Sequence, residues 1–200
     1  MRARVPAVVR AAQWCAQHAI PAVRLWPGIA QPMQHGPNPV TVWEQVSPGG
    51  DEPTPADLAA ILRTIHTADG PEPDLPRWRI TDGIRRRLTT SDTIDNETRA
   101  YLSAELDSVE SALAALKNIP ALLPPGVLHG DAHMGNLVPS PAGPIICDFD
   151  ATSIGPREWD LAPAAVGSLR FRYPVDVHQE LARAYGLDPS FAHGVERFAP

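Results

Sequence analysis

Three polar residues in the stretch 127–162 have the types and the spacing to carry out phosphoryl transfer. Asp131 follows an apolar step and a His-Gly pair, and Asn136 comes five residues later. A short apolar run, PIIC, then leads into Asp148 of the sequence DFD. In phosphoryl transfer an Asp can take the proton of the acceptor hydroxyl, while an Asn five residues on and a second Asp hold magnesium. The pattern predicts Asp131 as the catalytic base and Asn136 and Asp148 as ligands of Mg²⁺.

The chemistry of magnesium explains why oxygen-bearing side chains are needed at these positions. An ion that bridges two or three phosphates takes hard oxygen ligands in near-octahedral geometry, usually one or two carboxylates with an amide oxygen and water. Asp148 and Asn136 supply such oxygens. Because the nucleophile is an alcohol, positioning and charge neutralisation provide most of the acceleration. A general base such as Asp131 contributes about two to four powers of ten in rate.

His129, Asp131 and His133 alternate along the chain and offer a second kind of site. On a β-strand, all three side chains would point to one face and could bind zinc. That arrangement would indicate a zinc-dependent hydrolase. The neighbouring glycines favour a loop over an extended strand, and zinc binding by this trio leaves the downstream Asn and Asp unexplained. The zinc interpretation therefore ranks below phosphoryl transfer.

The motifs HGDAHMGN, IICDFD and GPREWDLA resemble those of the aminoglycoside phosphotransferase and choline kinase family, a branch of the protein-kinase-like fold. The resemblance implies that Asp131 is the catalytic base and that Asn136 and Asp148 bind the metal. It also implies that His129 and Asp160 support the catalytic loop, Asp160 by accepting hydrogen bonds from the loop backbone. The expected fold is α+β and protein-kinase-like, with a mostly helical large lobe and a truncated small lobe.

The activity implied by the resemblance is transfer of the γ-phosphate of ATP to a hydroxyl of a small molecule, with ATP and Mg²⁺ as cofactors. The acceptor would be aminoglycoside-like or an amino alcohol. By the same resemblance, the backbone of Glu44, Gln45 and Val46 would hydrogen-bond the adenine, although an ordinary buried strand gives the same sequence pattern. Asp150 and Glu158 are candidate acceptor contacts, but exposed acids more often serve solubility. The alternative is a non-catalytic remnant that binds a nucleotide or a partner chain.

We expect residues 1–47 to form a partial small lobe, with a hinge at about 43–47, and residues 48–200 to form the large lobe. A complete family member carries a Gly-containing hairpin and a phosphate-binding Lys ahead of the first helix. Here no Lys precedes Lys117 and no Gly-rich loop precedes the first predicted helix. Loss of one charge-assisted contact weakens nucleotide handling by about one to two powers of ten. We therefore expect a fragment or truncated chain with intact catalytic residues but impaired activity.

Composition excludes several other classes. The chain has 200 residues, 44% hydrophobic and 20% charged, which is typical of a globular protein. No apolar run approaches the length of a membrane span, and the N-terminus lacks a signal-peptide core. Two distant cysteines, Cys15 and Cys147, indicate a reducing cytoplasm. A net charge of -6 argues against nucleic acid and is compatible with a cationic small-molecule acceptor.

Hydrophobic periodicity and turn residues predict the elements that would position the site. Strands are predicted at 21–26, 40–46 and 144–147. Helices are predicted at 5–19, 54–66, 80–88, 96–116, 156–169 and 175–185, and another begins at 191–198. Thr54 is the predicted cap of the second helix. His66 is expected at the end of that helix for reasons of packing or of the helix dipole.

Overall fold

A computed structural model describes residues 4–116, 123–170 and 175–187 and gives a mixed α and β protein. Its α-helices in those ranges are α1 (Val5–Gln17), α2 (Pro55–Thr67), α3 (Ile80–Thr90), α4 (Asn96–Leu116), α5 (Ala162–Arg170) and α6 (Val175–Tyr185). Its strands form three antiparallel pairs: β1 (Met33–His35) with β2 (Asn38–Val40), β3 (Gly126–Leu128) with β6 (Ser153–Gly155), and β4 (Leu137–Val138) with β5 (Ile145–Ile146).

Helix α2 lies at the centre of the core because its apolar side chains recur at helical spacing. Its start is fixed by a capping box, in which Thr54 Oγ1 accepts from the Asp57 amide and the Asp57 carboxylate accepts from the Thr54 amide. Leu58, Ile61 and Ile65, among others, are buried along one face. That face packs against α6 and β3, so α2 connects the helical region with the segment that precedes His129.

The prediction of strands at 21–26 and 40–46 is wrong. The β1–β2 hairpin takes residues 33–40, and the two predicted segments meet only through a bridge between Leu25 and Trp43. Two hydrogen bonds flank that bridge, from the Trp26 amide to the Val42 carbonyl and from the Glu44 amide to the Arg24 carbonyl. On its other side the first segment bridges from Ala22 to Ile146. Strand propensity measures fit to neighbouring strands, and isolated bridges of this kind do not extend into a ladder.

The predicted helices at 96–116 and 175–185 are confirmed to the residue. Helix α1 ends at Gln17, two residues early, because the backbone turns to a positive φ of 53° at Ala19. The helix predicted at 156–169 starts as a 3₁₀ helix, Arg157–Leu161, before α5. The prediction at 191–198 lies outside the described residues. Within the described ranges, no helix has both the length and the apolar character needed to cross a bilayer.

Candidate functional site

The loop 129–136 and the turn that starts at Asp148 are joined through the backbone of Cys147. The Cys147 amide donates to the Asn136 carbonyl oxygen, with an N···O distance of 2.9 Å. The Cys147 carbonyl accepts from His129 Nε2, also at 2.9 Å. Just before this point, β4 and β5 pair Leu137 with Ile146. Because both backbone groups of Cys147 are engaged by the loop, the backbone that carries Asp148 is held beside Asn136.

His129 is buried and serves this connection. A carbonyl oxygen can only accept, so the contact with Cys147 places the ring proton on Nε2. The imidazole also lies against the Phe149 ring, with 6.0 Å between the ring centroids. Its Nδ1 atom is buried and has no hydrogen-bond partner among the described residues. The side chain therefore links the loop to the Asp148 turn, and it does not face the solvent.

Asn136 and Asp148 present oxygen atoms of the kind that magnesium prefers. The buried Asn136 side chain donates from Nδ2 to the Asp131 carbonyl oxygen at 2.8 Å, which leaves Oδ1 available as a ligand. Asp148 has a left-handed backbone, with φ of 66°, and its Oδ1 accepts from the Asp150 amide at 3.3 Å. A carboxylate and an amide oxygen fit the donor set of Mg²⁺.

The Asp131 carboxylate is solvent-accessible, with 55% of its side-chain area exposed. Its Oδ2 lies 3.9 Å from His133 Nε2. His133 Nδ1 accepts from the Gly135 amide at 3.0 Å, so the neutral ring carries its proton on Nε2, on the side of Asp131. The zinc trio is not brought together, since His129 is turned inward. Over the described ranges, no three His, Cys, Asp or Glu side chains converge as a metal site.

Asp160 is fully buried and accepts hydrogen bonds from the start of the loop. Its Oδ2 accepts from the His129 amide and its Oδ1 from the Gly130 amide, each at 2.7 Å. A third donor, His66 Nε2, lies 2.9 Å from Oδ2. On its other side, His66 Nδ1 lies 2.7 Å from the Tyr185 hydroxyl. Hydrogen bonds from backbone amides to a buried carboxylate are strong, so Asp160 fixes the loop where it leaves β3.

The contacts of His66 and Tyr185 were missed by sequence reasoning. His66 ends an apolar helix, which is equally typical of a packing residue. Tyr185 lies 119 residues further along the chain, and no local pattern connects the two. The one available signal was a polar residue in the last turn of an otherwise buried helix face, which requires a partner.

A cleft of about 350 Å³ brings the proposed hinge next to the DFD turn. Glu44, Asp148 and Asp150 are among its lining residues, whereas Asp131 and Asn136 are not. The rings of Trp43 and Phe149 stack across it, with centroids 6.2 Å apart. A larger cavity of about 410 Å³, between α1 and residues 24–31, includes none of the three phosphoryl-transfer candidates.

The three candidate hinge residues differ in their backbone hydrogen bonds. The Glu44 amide is used, since it donates to the Arg24 carbonyl at 2.8 Å. The backbone groups of Gln45 and Val46 have no hydrogen-bond partner among the residues that the structure describes. Gln45 and Val46 therefore have both backbone groups left for a ligand, and Glu44 has its carbonyl.

A family model described as the phosphotransferase enzyme family matches residues 2–198. The chain belongs to this family. No curated protein matches this phosphotransferase-family chain.

Three solved structures that resemble the phosphotransferase-family chain are each below 25% identity and show its fold. A choline kinase from Streptococcus pneumoniae is 18% identical, with a TM-score of 0.63 over 88% of this chain and 60% of that one. An aminoglycoside phosphotransferase from Streptomyces rimosus, solved with ADP and streptomycin, is 16% identical, with a TM-score of 0.63 over 93% of this chain and 76% of that one.

A choline/ethanolamine kinase family protein from Mesorhizobium loti is 21% identical, with a TM-score of 0.57 over 92% of this chain and 61% of that one. The phosphotransferase-family chain thus spans about three fifths of the length of the two choline kinase-like structures. The predicted α+β, protein-kinase-like fold is confirmed by these likenesses.

The two candidate acceptor contacts differ in their surroundings. Asp150 is exposed and lines the cleft. Glu158 is partly buried, and its Oε1 accepts from the Leu123 amide at 2.9 Å, while Oε2 is enclosed without a described partner. The next residue, Trp159, donates from Nε1 to the Gly130 carbonyl at 3.2 Å. In this phosphotransferase-family chain, Glu158 binds the backbone of its own chain, whereas Asp150 is open to a ligand.

Cys147 lies in the cleft beside Asp148 but is not a nucleophile at neutral pH. Burial raises the pKa of its thiol, and the negative charge of Asp148 raises that pKa further. The reactive form of cysteine is the thiolate, so a raised pKa keeps the group unreactive.

Proposed function

We propose that this chain transfers the γ-phosphate of ATP to a hydroxyl of a small molecule, using Mg²⁺. The observation that supports this most is the double engagement of Cys147, which holds the Asp148 backbone beside Asn136. Asn136 in turn donates to the carbonyl of Asp131. Three hydrogen bonds thus link the proposed metal ligands, Asn136 and Asp148, to the segment that carries the accessible Asp131 carboxylate.

Each residue has a distinct role in the proposed reaction. Asp131 accepts the proton of the acceptor hydroxyl as the oxygen attacks phosphorus. His129 and Asp160 keep the loop in place. Asn136 Oδ1 and the Asp148 carboxylate would hold Mg²⁺, which supplies neutralisation of the phosphate charge when bound.

The nucleotide and the acceptor would share the cleft of about 350 Å³, which Glu44 and Asp150 both line. We propose that residues 1–47 form a small lobe and 48–200 a large lobe, with the adenine bound by the hinge backbone near Gln45 and Val46. Glu44 contributes as a lining residue of the same cleft. The exposed Asp150 carboxylate and the net charge of -6 support a cationic acceptor, such as an amino alcohol or an aminoglycoside-like compound. A cytoplasmic location accords with the supply of ATP.

The test compares Asp131→Asn with the wild-type protein. We expect transfer to an acceptor panel of amino alcohols and aminoglycosides to fall by about two to four powers of ten, because the general base is lost. Binding of Mg·ATP, measured by calorimetry, should persist. Replacement of the exposed Asp92 by Asn is the matched control and should leave both unchanged. Transfer by Asp131→Asn at the wild-type rate would refute the assignment.

The metal site is tested separately with Asp148→Ala. Removing one of two protein ligands should abolish the part of nucleotide binding that depends on Mg²⁺, while binding measured in EDTA stays the same. Equal dependence on Mg²⁺ in the variant and the wild type would exclude Asp148 as a ligand.

A nucleotide- or partner-binding chain without transferase activity is the second candidate. It is favoured by the lining of the 350 Å³ cleft, which among the described residues includes no Lys or Arg to contact the nucleotide phosphates. Saturable binding of Mg·ATP without turnover on any acceptor would support this candidate over the first.

A further inference from the structure

Three buried side chains connect the end of α6 to the start of the catalytic loop. The Tyr185 hydroxyl contacts His66 Nδ1 at 2.7 Å, and His66 Nε2 contacts Asp160 Oδ2 at 2.9 Å. Asp160 then accepts from the amides of His129 and Gly130. The exposed fractions of Tyr185, His66 and Asp160 are 9%, 2% and 0%. Water therefore has little access to this series of contacts.

The direction of each hydrogen bond follows from the groups involved. The Asp160 carboxylate already accepts from two amides, and an ionised carboxylate can only accept, so His66 donates from Nε2. The Nδ1 atom of the neutral ring is then an acceptor, and the Tyr185 hydroxyl donates to it. Burial raises the pKa of Tyr185, so the hydroxyl keeps this proton. A doubly protonated His66 would leave the Tyr185 proton without an acceptor among the described residues.

We propose that Tyr185 is a positioning residue of the catalytic loop, acting through the ring of His66 and the carboxylate of Asp160. Without the hydroxyl, the buried Nδ1 atom has no hydrogen-bond donor among the described residues. The Asp160 carboxylate still selects the tautomer with the proton on Nε2, but only one end of the ring is then held in place. Rotation of the ring weakens the contact from Nε2 to the carboxylate that supports the two amides of the loop. Since α6 packs on α2, which carries His66, the end of α6 and the loop are coupled.

The inference has one part that rests on the proposed function and one that does not. The effect on turnover requires that the loop perform phosphoryl transfer. The hydrogen bonding of the His66 ring is a property of the folded protein alone. A measurement of the ring and a measurement of turnover therefore separate the two.

The first measurement is the ¹⁵N NMR spectrum of the histidine side chains at neutral pH, with His66 identified from its loss in His66→Gln. We expect wild-type His66 to carry its proton on Nε2. In Tyr185→Phe we expect the proton to stay on Nε2, the Nδ1 resonance to move toward that of an acceptor without a donor, and the Nε2 proton to exchange faster with solvent. Tyr101→Phe removes the same atom from a residue that is 63% exposed and should change nothing. A wild-type His66 protonated on Nδ1 or on both nitrogens overturns the proposal without any variant. Unchanged His66 resonances and an unchanged Nε2 exchange rate in a folded Tyr185→Phe also overturn it.

The second measurement is turnover. We expect Tyr185→Phe to lower kcat about tenfold, the equivalent of one hydrogen bond, with the KM for ATP unchanged. The amide of His66→Gln can donate to Asp160 and accept from Tyr185, so this variant should retain more activity than His66→Leu. Equal losses in these two variants would indicate a packing role only and count against the proposal. If the wild type transfers phosphate to no acceptor, the proposed function fails, and the His66 spectra still decide the role of Tyr185.

Discussion

At residue 130 the loop 129–136 passes so close to the turn after Asp148 that a side chain has no room. A Cβ atom on Gly130 would lie 2.2 Å from the Ala151 carbonyl oxygen, and φ at this position is +88°. The backbone groups of Gly130 are both engaged, the amide by Asp160 and the carbonyl by Trp159. A shift of the backbone to relieve the contact would therefore break hydrogen bonds that hold the loop.

Gly130→Ala should consequently destabilise the protein more than a substitution with backbone strain alone. Gly143→Ala is the matched control, because its φ is +105° and no atom lies within 4 Å of an added Cβ. We expect the control to lower the free energy of unfolding by about 1 to 2 kcal/mol from the left-handed backbone. Gly130→Ala should lower it by a clearly larger amount. Equal losses of unfolding free energy in the two variants, measured by urea denaturation, would show that the loop accommodates a side chain at residue 130 without further destabilisation.

Among single residues, sequence spacing was informative where a motif is local. The spacing of Asp131 and Asn136 and the strand ahead of Asp148 predicted that these residues would lie near each other. In the structure, the backbone of Asn136 is hydrogen-bonded to Cys147, the residue before Asp148. The contact of Tyr185 with His66 is a product of helix packing, so no spacing along the chain encodes it. Glu158 is acidic and lies near a predicted helix start, but its use as a backbone acceptor depends on where residue 123 passes.

At the scale of elements, helix α1 shows how a cysteine becomes inert through packing. Its buried face includes Val8, Ala12, Trp14 and Cys15, as the helical periodicity predicted. Burial raises the pKa of the Cys15 thiol from 9.0 to about 12, against a smaller opposing effect of Arg24. Helix α1 was predictable because the spacing of apolar residues that indicates it lies within the helix itself. The strands at 21–26 and 40–46 were not, since their extent depends on partners outside the segment.

The raised pKa of Cys15 predicts a dependence of stability on pH. The folded thiol stays protonated where the unfolded thiol ionises, so its contribution is fully present below pH 9 and is lost as pH rises toward 12. The loss is at most about 1.4 kcal/mol for each pH unit. Cys15→Ala should have a constant packing deficit below pH 8 and a shallower decline above pH 9. If the unfolding free energies of the wild type and Cys15→Ala, measured with urea, fell in parallel above pH 9, the raised pKa of Cys15 would be contradicted.

At the scale of the whole molecule, the α3–α4 hairpin stands apart from the core formed by α1, α2 and α6. The two helices pack mainly on each other. Arg85 links them through Asp107 and Glu110, with N···O distances of 2.7 Å at the surface. The pair also carries the exposed apolar residues Ile84, Tyr101, Leu102 and Val109. A unit with few contacts to the core can open without global unfolding.

Native-state hydrogen exchange should therefore separate the hairpin from the core. We expect amides of α3 and α4 to exchange through local opening, with protection below that of α2 and α6. Arg85→Ala should speed exchange in the hairpin and leave α2 unchanged, and Arg86→Ala, on the same helix, is the control. Uniform protection across all four helices would show that the hairpin unfolds only with the rest.

The contacts behind the loop 129–136 also set how the chain can be divided. Those contacts come from four places, at residues 66, 129–130, 160 and 185, and the outer two are 119 residues apart. A fragment that contains HGD but begins after residue 66 or ends before residue 185 lacks a group that holds it. A split version of the protein would need both pieces to reassemble before its loop is supported. The smallest fragment that retains these contacts runs from His66 to Tyr185, and neither residue lies in the HGD motif.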